Sequence, residues 1–457
     1  MKNESARFGV SSVEMWSPAW LEQKIRSLNN RVFASVLAVA EKAPFLFLSI
    51  VSLLAVAFFY LRPSVLSEIV PFLTREHASW MGLKIWPIIF LITLGPFLWL
   101  ARRATSMWVT ALVSLATFGF LFLDAPNIIS GFTRICAIGA TYLVLVVPLL
   151  LTEEWPFFVK IIYLVSGVLA LNVAEAITLH VYPRSIYDFA FSVTVRWIMP
   201  LSLGLLQQHV GGTRFSFKNK ETLKYLFSPA LFLIVLPVKS EDCKKSAEVL
   251  TTMLQGLADV VVGICAFGLC ALELSNWPQS NIHGGIYFLW LAGLRISLAH
   301  FFCCLGLFRF GSGVGRWLGF ALPDNSCFAI LATSPVDSWK RWSTYLYNWM
   351  LVAIFIPLQR RIKFVSVVFI LTFIGLFLLH RSLGVVNLIV FHDLRPKSQR
   401  WLLQLFLFFT AHGSLMYFCF RTKALWPNGS RITGWFGVLT TQILLGFVHI
   451  FVITNDS

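Results

Sequence analysis

The chain has 457 residues, of which 57% are hydrophobic, 15% aromatic and only 13% charged, and its mean hydropathy is +0.76. A soluble protein carries about a quarter charged residues, so this composition excludes an ordinary soluble domain and points to an all-α, polytopic integral membrane protein. The formal charge of +16, from 37 basic and 21 acidic side chains, sits in short clusters between apolar runs. That pattern fits loops held on the cytoplasmic side rather than a nucleic-acid surface.

Residues 1–43 read as a polar, amphipathic segment, with Lys2, Arg7, Lys24, Arg26, Arg31 and Lys42 ahead of the first apolar run. No cleavable leader is evident, and an internal first span acting as signal anchor is expected instead. Residues 44–457 read as one transmembrane domain. Spans are expected at about Pro44–Leu61, Gly82–Ala101, Ser106–Leu123, Gly131–Leu151 and Phe157–Leu179, each long enough to cross a hydrocarbon layer of about 30 Å as a helix. Arg102 and Arg103 assign their loop to the cytoplasm, whereas the sparsely charged Asn276–Gly285 loop reads as extracytoplasmic. The cysteines (Cys136, Cys243, Cys265, Cys270, Cys303, Cys304, Cys327 and Cys419) show no paired ligand spacing and read as small buried hydrophobes, with no metal site.

From Asp188 onward the spans are interrupted and carry charge: Arg196, Asp259, Arg295 and His300 all fall within apolar runs. Such residues are costly in lipid and face cavities or one another, so an ion pair of Asp259 with Arg196 or Arg295 is one expectation. Leu223–Val238 is short, holds two prolines between basic loops, and reads as re-entrant. Gly306–Asn325, GLFRFGSGVGRWLGFALPDN, looks too rich in glycine to cross lipid as a regular helix. Two further spans are expected at Trp401–Phe420 and Gly434–Ile453.

The stretch Pro335–His380 is the most distinctive. It opens with PVDSWKRWSTYLYNWM, where Trp339, Trp342, Leu346 and Trp349 recur at helical spacing beside Lys340 and Arg341, a pattern suited to a helix at the membrane interface. Asp337 is placed to cap the start of that helix. A long apolar run then leads to a lone histidine, ILTFIGLFLLHRSLG. Anchoring alone explains the tryptophans, and a structural carbonyl contact alone explains His380.

In order and spacing, however, these stretches resemble the signature region of the membrane-bound O-acyltransferase family, above all the bacterial branch that acylates alginate, teichoic acids and related surface polymers. GSGVGRWLGFALPDN is similar to that family's small-residue stretch followed by Gly-Arg-Leu-Leu-Gly-Phe and Leu-Pro-Glu-Asn. SPVDSWKRWSTYLYNWMLVAIFIPL resembles its Ser-Ile-x-Asp-Phe-Trp-Arg-Arg-Trp-His-Ile-Ser, which closes on Tyr-Ile-Pro-Leu. ILTFIGLFLLHRSLGVVNLIVFH resembles its Thr-Phe-x-x-x-Gly-Leu-Trp-His-Gly. Weaker echoes in MPLSLGLLQQHVGG, LFSPALFLIVLPV and LQGLADVVVGICAF extend the resemblance to about residues 190–455.

The resemblance implies a helical bundle with re-entrant segments around a central tunnel in the bacterial cytoplasmic membrane. It also implies transfer of an acyl group to a hydroxyl of a lipid-linked or extracytoplasmic glycan, from a coenzyme A or acyl-carrier-protein thioester that acts as substrate, with no bound cofactor. It places His380 on the catalytic histidine, and an imidazole titrating near neutral pH suits removal of an alcohol proton. Asp337, Trp339, Lys340, Arg341 and Trp342 become donor-binding or architectural residues, and a second envelope acyltransferase becomes a possible partner.

The chain departs from the pattern in that Ser343 stands where the second histidine is expected, Arg309 and Phe310 stand where an acidic residue is expected, and Leu379 and Arg381 flank His380. Ser343 or Asn348 is then the candidate polar partner of the acyl carbonyl. His300, His412 and His449 have no motif behind them and read as structural. A transporter or non-catalytic scaffold of the same fold is the competing expectation, although no internal repeat is visible.

Overall fold

The computed structural model describes residues 17–61, 92–104, 246–275, 285–317, 319, 322, 324–390, 396–422 and 431–449, together with isolated helical positions 159, 162 and 166. Among the described residues every regular element is helical. The expected spans at 106–123, 131–151 and 157–179, Arg196, and the re-entrant segment at 223–238 lie outside the described residues, apart from those isolated positions.

The first helix, α1 (Pro18–Lys42), starts where Ser17 accepts a hydrogen bond from the backbone N–H of Trp20 and Pro18 occupies the first turn, the arrangement that satisfies an otherwise orphaned donor. It stops at Ala43, which precedes Pro44 and leaves the helical region with φ −149°. The chain then turns by 114° into α2 (Pro44–Leu61), an uncharged apolar helix with the bounds its composition predicts. Helix α3 (Gly95–Ala104) is tied to α2 by Ser52, whose hydroxyl donates to the carbonyl of Ile92 at 2.9 Å.

The centre of the described structure is an antiparallel pair, α4 (Ser246–Ser275) and α5 (Gly285–Trp317). The expectation that glycines would break the chain after Gly306 is overturned, because α5 runs unbroken to Trp317. Its glycines face a neighbour rather than opening the helix. A methyl group on Gly313 would lie 2.7 Å from the carbonyl oxygen of Gly256, and one on Gly263 would lie 2.9 Å from that of Gly306. Glycines seven residues apart on each helix therefore form one seam along which the backbones touch, the device by which membrane helices pack when lipid removes the hydrophobic drive between them. Trp317, 1% exposed, ends the seam and packs over Gly95 and Gly256.

Beyond α5 the chain makes a short 3-10 turn at Ala329–Leu331 and two short helices, α6 (Pro335–Trp342) and α7 (Thr344–Met350). It then forms a π-helical turn at Leu351–Phe355 and α8 (Ile356–Arg361). Pro357 explains the widened turn: it has no N–H to give the carbonyl four residues back and its ring crowds that position. The amide of Ile356 reaches the carbonyl of Leu351 instead. Three helices close the described chain, α9 (Val365–Val390), α10 (Pro396–Arg421) and α11 (Arg431–His449). Gly413 lets α10 lie against the backbone of Ile370 on α9.

By length and composition, α4, α5 and α10 contain segments able to cross a membrane, and the bent pair α1 with α2 supplies a fourth if it forms a single span. The expected span at Trp401–Phe420 thus corresponds to α10. The apolar part of α11, Trp435–Val448, is shorter than a full crossing within the described residues. Exposed Val261, Phe364, Phe406, Phe418 and Phe436 line outer faces suited to lipid.

The seam makes a paired prediction. Gly256→Ala drives its methyl into the backbone of Gly313 and Arg316 and should cost roughly 1–3 kcal/mol. At Gly375 the added methyl meets only the side chain of Ile354, at 3.5 Å, so Gly375→Ala should be neutral or stabilising by about 0.5 kcal/mol. Thermal unfolding of both variants in detergent measures the contrast.

Candidate functional site

Within the glycine seam lies a group of charges. Asp259 of α4 accepts from Arg309 of α5 at 2.8 Å through one carboxylate oxygen and from Arg316 of α5 through the other. Arg316 also donates to Asp324 at 2.8 Å and to the carbonyl of Leu322. Arg309 reaches the carbonyl of Ser326 at 2.6 Å. Asp259 falls between Gly256 and Gly263, and Arg309 between Gly306 and Gly313, so the register that joins the backbones also joins the charges. The expected pairing of Asp259 with Arg196 or Arg295 is therefore corrected: its oxygens go to Arg309 and Arg316. Sequence reasoning missed these because both arginines lie in the glycine-rich stretch taken as irregular. The i, i+7 spacing they share with its glycines was the available signal.

These arginines hold the loop after α5 in place, and that loop in turn builds the junction between α6 and α7. The backbone N–H of Thr344 donates to the carbonyl of Asn325 at 2.7 Å, and the Cys327 amide donates to the carbonyl of Arg341 at 2.9 Å. The hydroxyl of Thr344 bonds the carbonyl of Asp324 at 2.7 Å. Ser343, fully buried, donates to Asn325 Oδ1 at 3.0 Å and accepts from the amide of Leu346 at 3.2 Å. Its hydroxyl thus caps α7 and fastens the loop. Asn348 lies on the exposed side of α7, away from Ser343.

Helix α6 begins at a serine cap. Ser334 is the cap, accepting from the amide of Asp337 at 3.1 Å, while Asp337 reaches back toward the amide of Thr333 at 3.4 Å. The expectation that Asp337 caps the helix is corrected accordingly: Ser334 is the cap, and Asp337 occupies the third helical position. It also pairs with Arg341 at 2.8 Å. Arg341 makes a second ion pair, at 2.6 Å, with Glu22 of α1, which also holds Arg26 at 2.8 Å. Lys340 projects outward.

Ser343 ends the helix after Trp342, and the rings of Trp339 and Trp342 turn inward against the core. Trp339 is 9% exposed and packs edge-on against Phe373 of α9 at 4.9 Å, Trp342 at 4.9 Å and His412 of α10 at 5.6 Å. Trp342 meets His300 of α5 at 5.8 Å. The two histidines set aside as structural therefore flank the tryptophan pair, with His412 Nδ1 3.2 Å from the carbonyl of Phe408. His380 lies on α9 two turns beyond Phe373, and helical register puts the position on the same face as Phe373, Leu376 and Phe377.

Electrostatics act alike on Asp324 and Glu22. Burial alone would raise the carboxyl of Asp324, but the guanidinium groups of Arg316, Arg309 and Arg26 hold it below the usual carboxylate range. Burial likewise opposes ionisation of Glu22, and Arg26 with Arg341 lower it overall.

No family model matches the chain, and no curated protein matches it.

Asp259→Asn should leave buried guanidinium charge uncompensated and destabilise the protein by about 3–5 kcal/mol, read as a fall in the unfolding midpoint. Because the carboxyl of Glu22 is depressed in the folded state, its contribution is complete above the ordinary value of 4.5 and disappears as pH falls through the lower native value. Hydrogen exchange in α1 should accelerate only in that acid range, and Glu22→Gln should show the fast exchange already at neutral pH.

Proposed function

We propose that the chain is a multi-pass O-acyltransferase of the bacterial cytoplasmic membrane, built around a tunnel. It moves an acyl group from a cytoplasmic coenzyme A or acyl-carrier-protein thioester to a hydroxyl of a lipid-linked or extracytoplasmic glycan. The observation that carries this reading is the meeting of its motif stretches. The loop at 324–327 is stitched to the junction at 341–344, and α9 is laid on that junction by Phe373 against Trp339. Segments that resemble the acyltransferase signature in sequence are neighbours in space, which a chance resemblance does not require.

In the reaction His380 accepts the proton of the acceptor hydroxyl as its oxygen attacks the thioester carbonyl. The tetrahedral intermediate collapses by breaking the carbon–sulfur bond, and the histidinium returns its proton to the departing thiolate. A buried site keeps water from competing for the acyl group. Ser343 acts through the turn it caps, and Lys340 is the cation suited to donor phosphates, since Arg341 is engaged by Asp337 and Glu22.

A second reading, a non-catalytic scaffold or transporter that keeps the fold, is favoured by one observation: the Ser343 hydroxyl at the position of the expected second histidine is spent on structure. Purified protein in vesicles with a radiolabelled acyl thioester and a hydroxylated acceptor separates the two. His380→Ala should lower transfer by about 10²–10⁴-fold while the protein remains inserted and monodisperse. Undiminished transfer removes His380 from the chemistry, and absence of thioester turnover by the unaltered protein favours the scaffold.

A further inference from the structure

Helix α1 presents a face that the other described residues leave uncovered. Leu28, Val32 and Val39 are 64%, 56% and 60% exposed, and Ile25 and Val36 are exposed beside them. At 100° per residue these side chains fall within a sector of about 80°, whereas Lys24, Arg31 and Lys42 lie within about 20° of one another along a single edge of it. The flank opposite that basic edge faces the protein: Ala40 is buried, Phe33 and Leu37 are partly buried against the core, and Glu22 reaches Arg341.

We propose that α1 lies in the plane of the membrane and binds an anionic lipid surface, its valine and leucine row entering the acyl-chain boundary and its basic edge meeting lipid phosphates. The chemistry of the face fits this occupant, because a narrow apolar row bordered by cations is what a headgroup boundary requires. The geometry fits as well. Helix α2 carries no charge and α1 leaves it at 114°, so when α2 enters hydrocarbon α1 runs nearly parallel to the surface. Lys24, Arg26, Arg31, Glu41 and Lys42 keep α1 out of the bilayer core. The Glu22 ion pairs then fix the position of α6 relative to the lipid surface. None of this depends on the proposed acyl transfer.

The test uses the full chain in vesicles, with an environment-sensitive fluorescent amino acid introduced by codon suppression in place of Val36. Blue-shifted emission, quenched by brominated lipid and protected from aqueous acrylamide, is expected. Brominated phosphatidylglycerol should quench about twofold more than brominated phosphatidylcholine at the same mole fraction. That preference should vanish in the combined Lys24→Gln, Arg31→Gln and Lys42→Gln variant, whose apolar row still enters lipid. Quenching by acrylamide and not by bromolipid would show a water-facing helix, and protection from both would show a face covered by protein. Either overturns the proposal, as does equal quenching by the two lipids in the unaltered chain.

Discussion

The contact of α4 with α5 along their glycines is the constraint from which the rest of the described structure follows. Backbones that touch at Gly256, Gly263, Gly306 and Gly313 exclude side chains and water from the seam. Charges placed beside it must therefore satisfy one another. Asp259 takes both arginines of α5, and Asp324 takes part of what remains of Arg316. In a medium of low polarisability such a group persists only if it is both neutral and hydrogen-bonded. Asp259 and Asp324 balance Arg309 and Arg316, and backbone carbonyls take spare donors. The arrangement specifies register: sliding either helix by one residue would separate the charges and drive side chains into the seam.

From this centre order passes outward through polar contacts as well as through the hydrophobic core that joins the helices. Arg309 and Arg316 hold the loop at 322–326, the loop holds the α6–α7 junction through Ser343 and Thr344, and the junction presents Trp339 and Trp342 to α5, α9 and α10. Aromatic edges complete the connection, since Trp339 touches Phe373 and His412. The helix that carries His380 is thus placed by a sequence of contacts that begins two helices away. At the other side of α6, Arg341 and Glu22 bring α1 into the same assembly.

Parts of the helical frame were legible from the chain alone, and the errors of that reading have physical causes. The apolar run that leads to His380 and the bounds of α2 at Pro44 and Leu61 were visible in the sequence. Asp337 and Ser334 are both residue types that favour the cap, so the sequence does not by itself tell which of them caps α6; the structure gives it to Ser334. The tryptophans of α6 are compatible with an interface or with a core, and periodicity alone does not distinguish the two faces. Their inward orientation depends on Ser343 ending the helix and on Phe373 and His412 arriving from elsewhere. Glycine is still more ambiguous, since in lipid the same residue that weakens an isolated helix permits the closest packing of two.

By itself, the sequence determined that the chain belongs in a membrane, that it is helical, and where several helices begin, because these depend on composition and on interactions within a few residues. Tertiary structure alone decided which arginines Asp259 meets, that α5 continues through its glycines, that Ser343 is consumed in a turn, and that His300 and His412 border the tryptophan pair. Each of these joins residues far apart in the chain. No local preference encodes such a pairing, which is fixed only when the backbones approach and every buried charge and donor must find a partner.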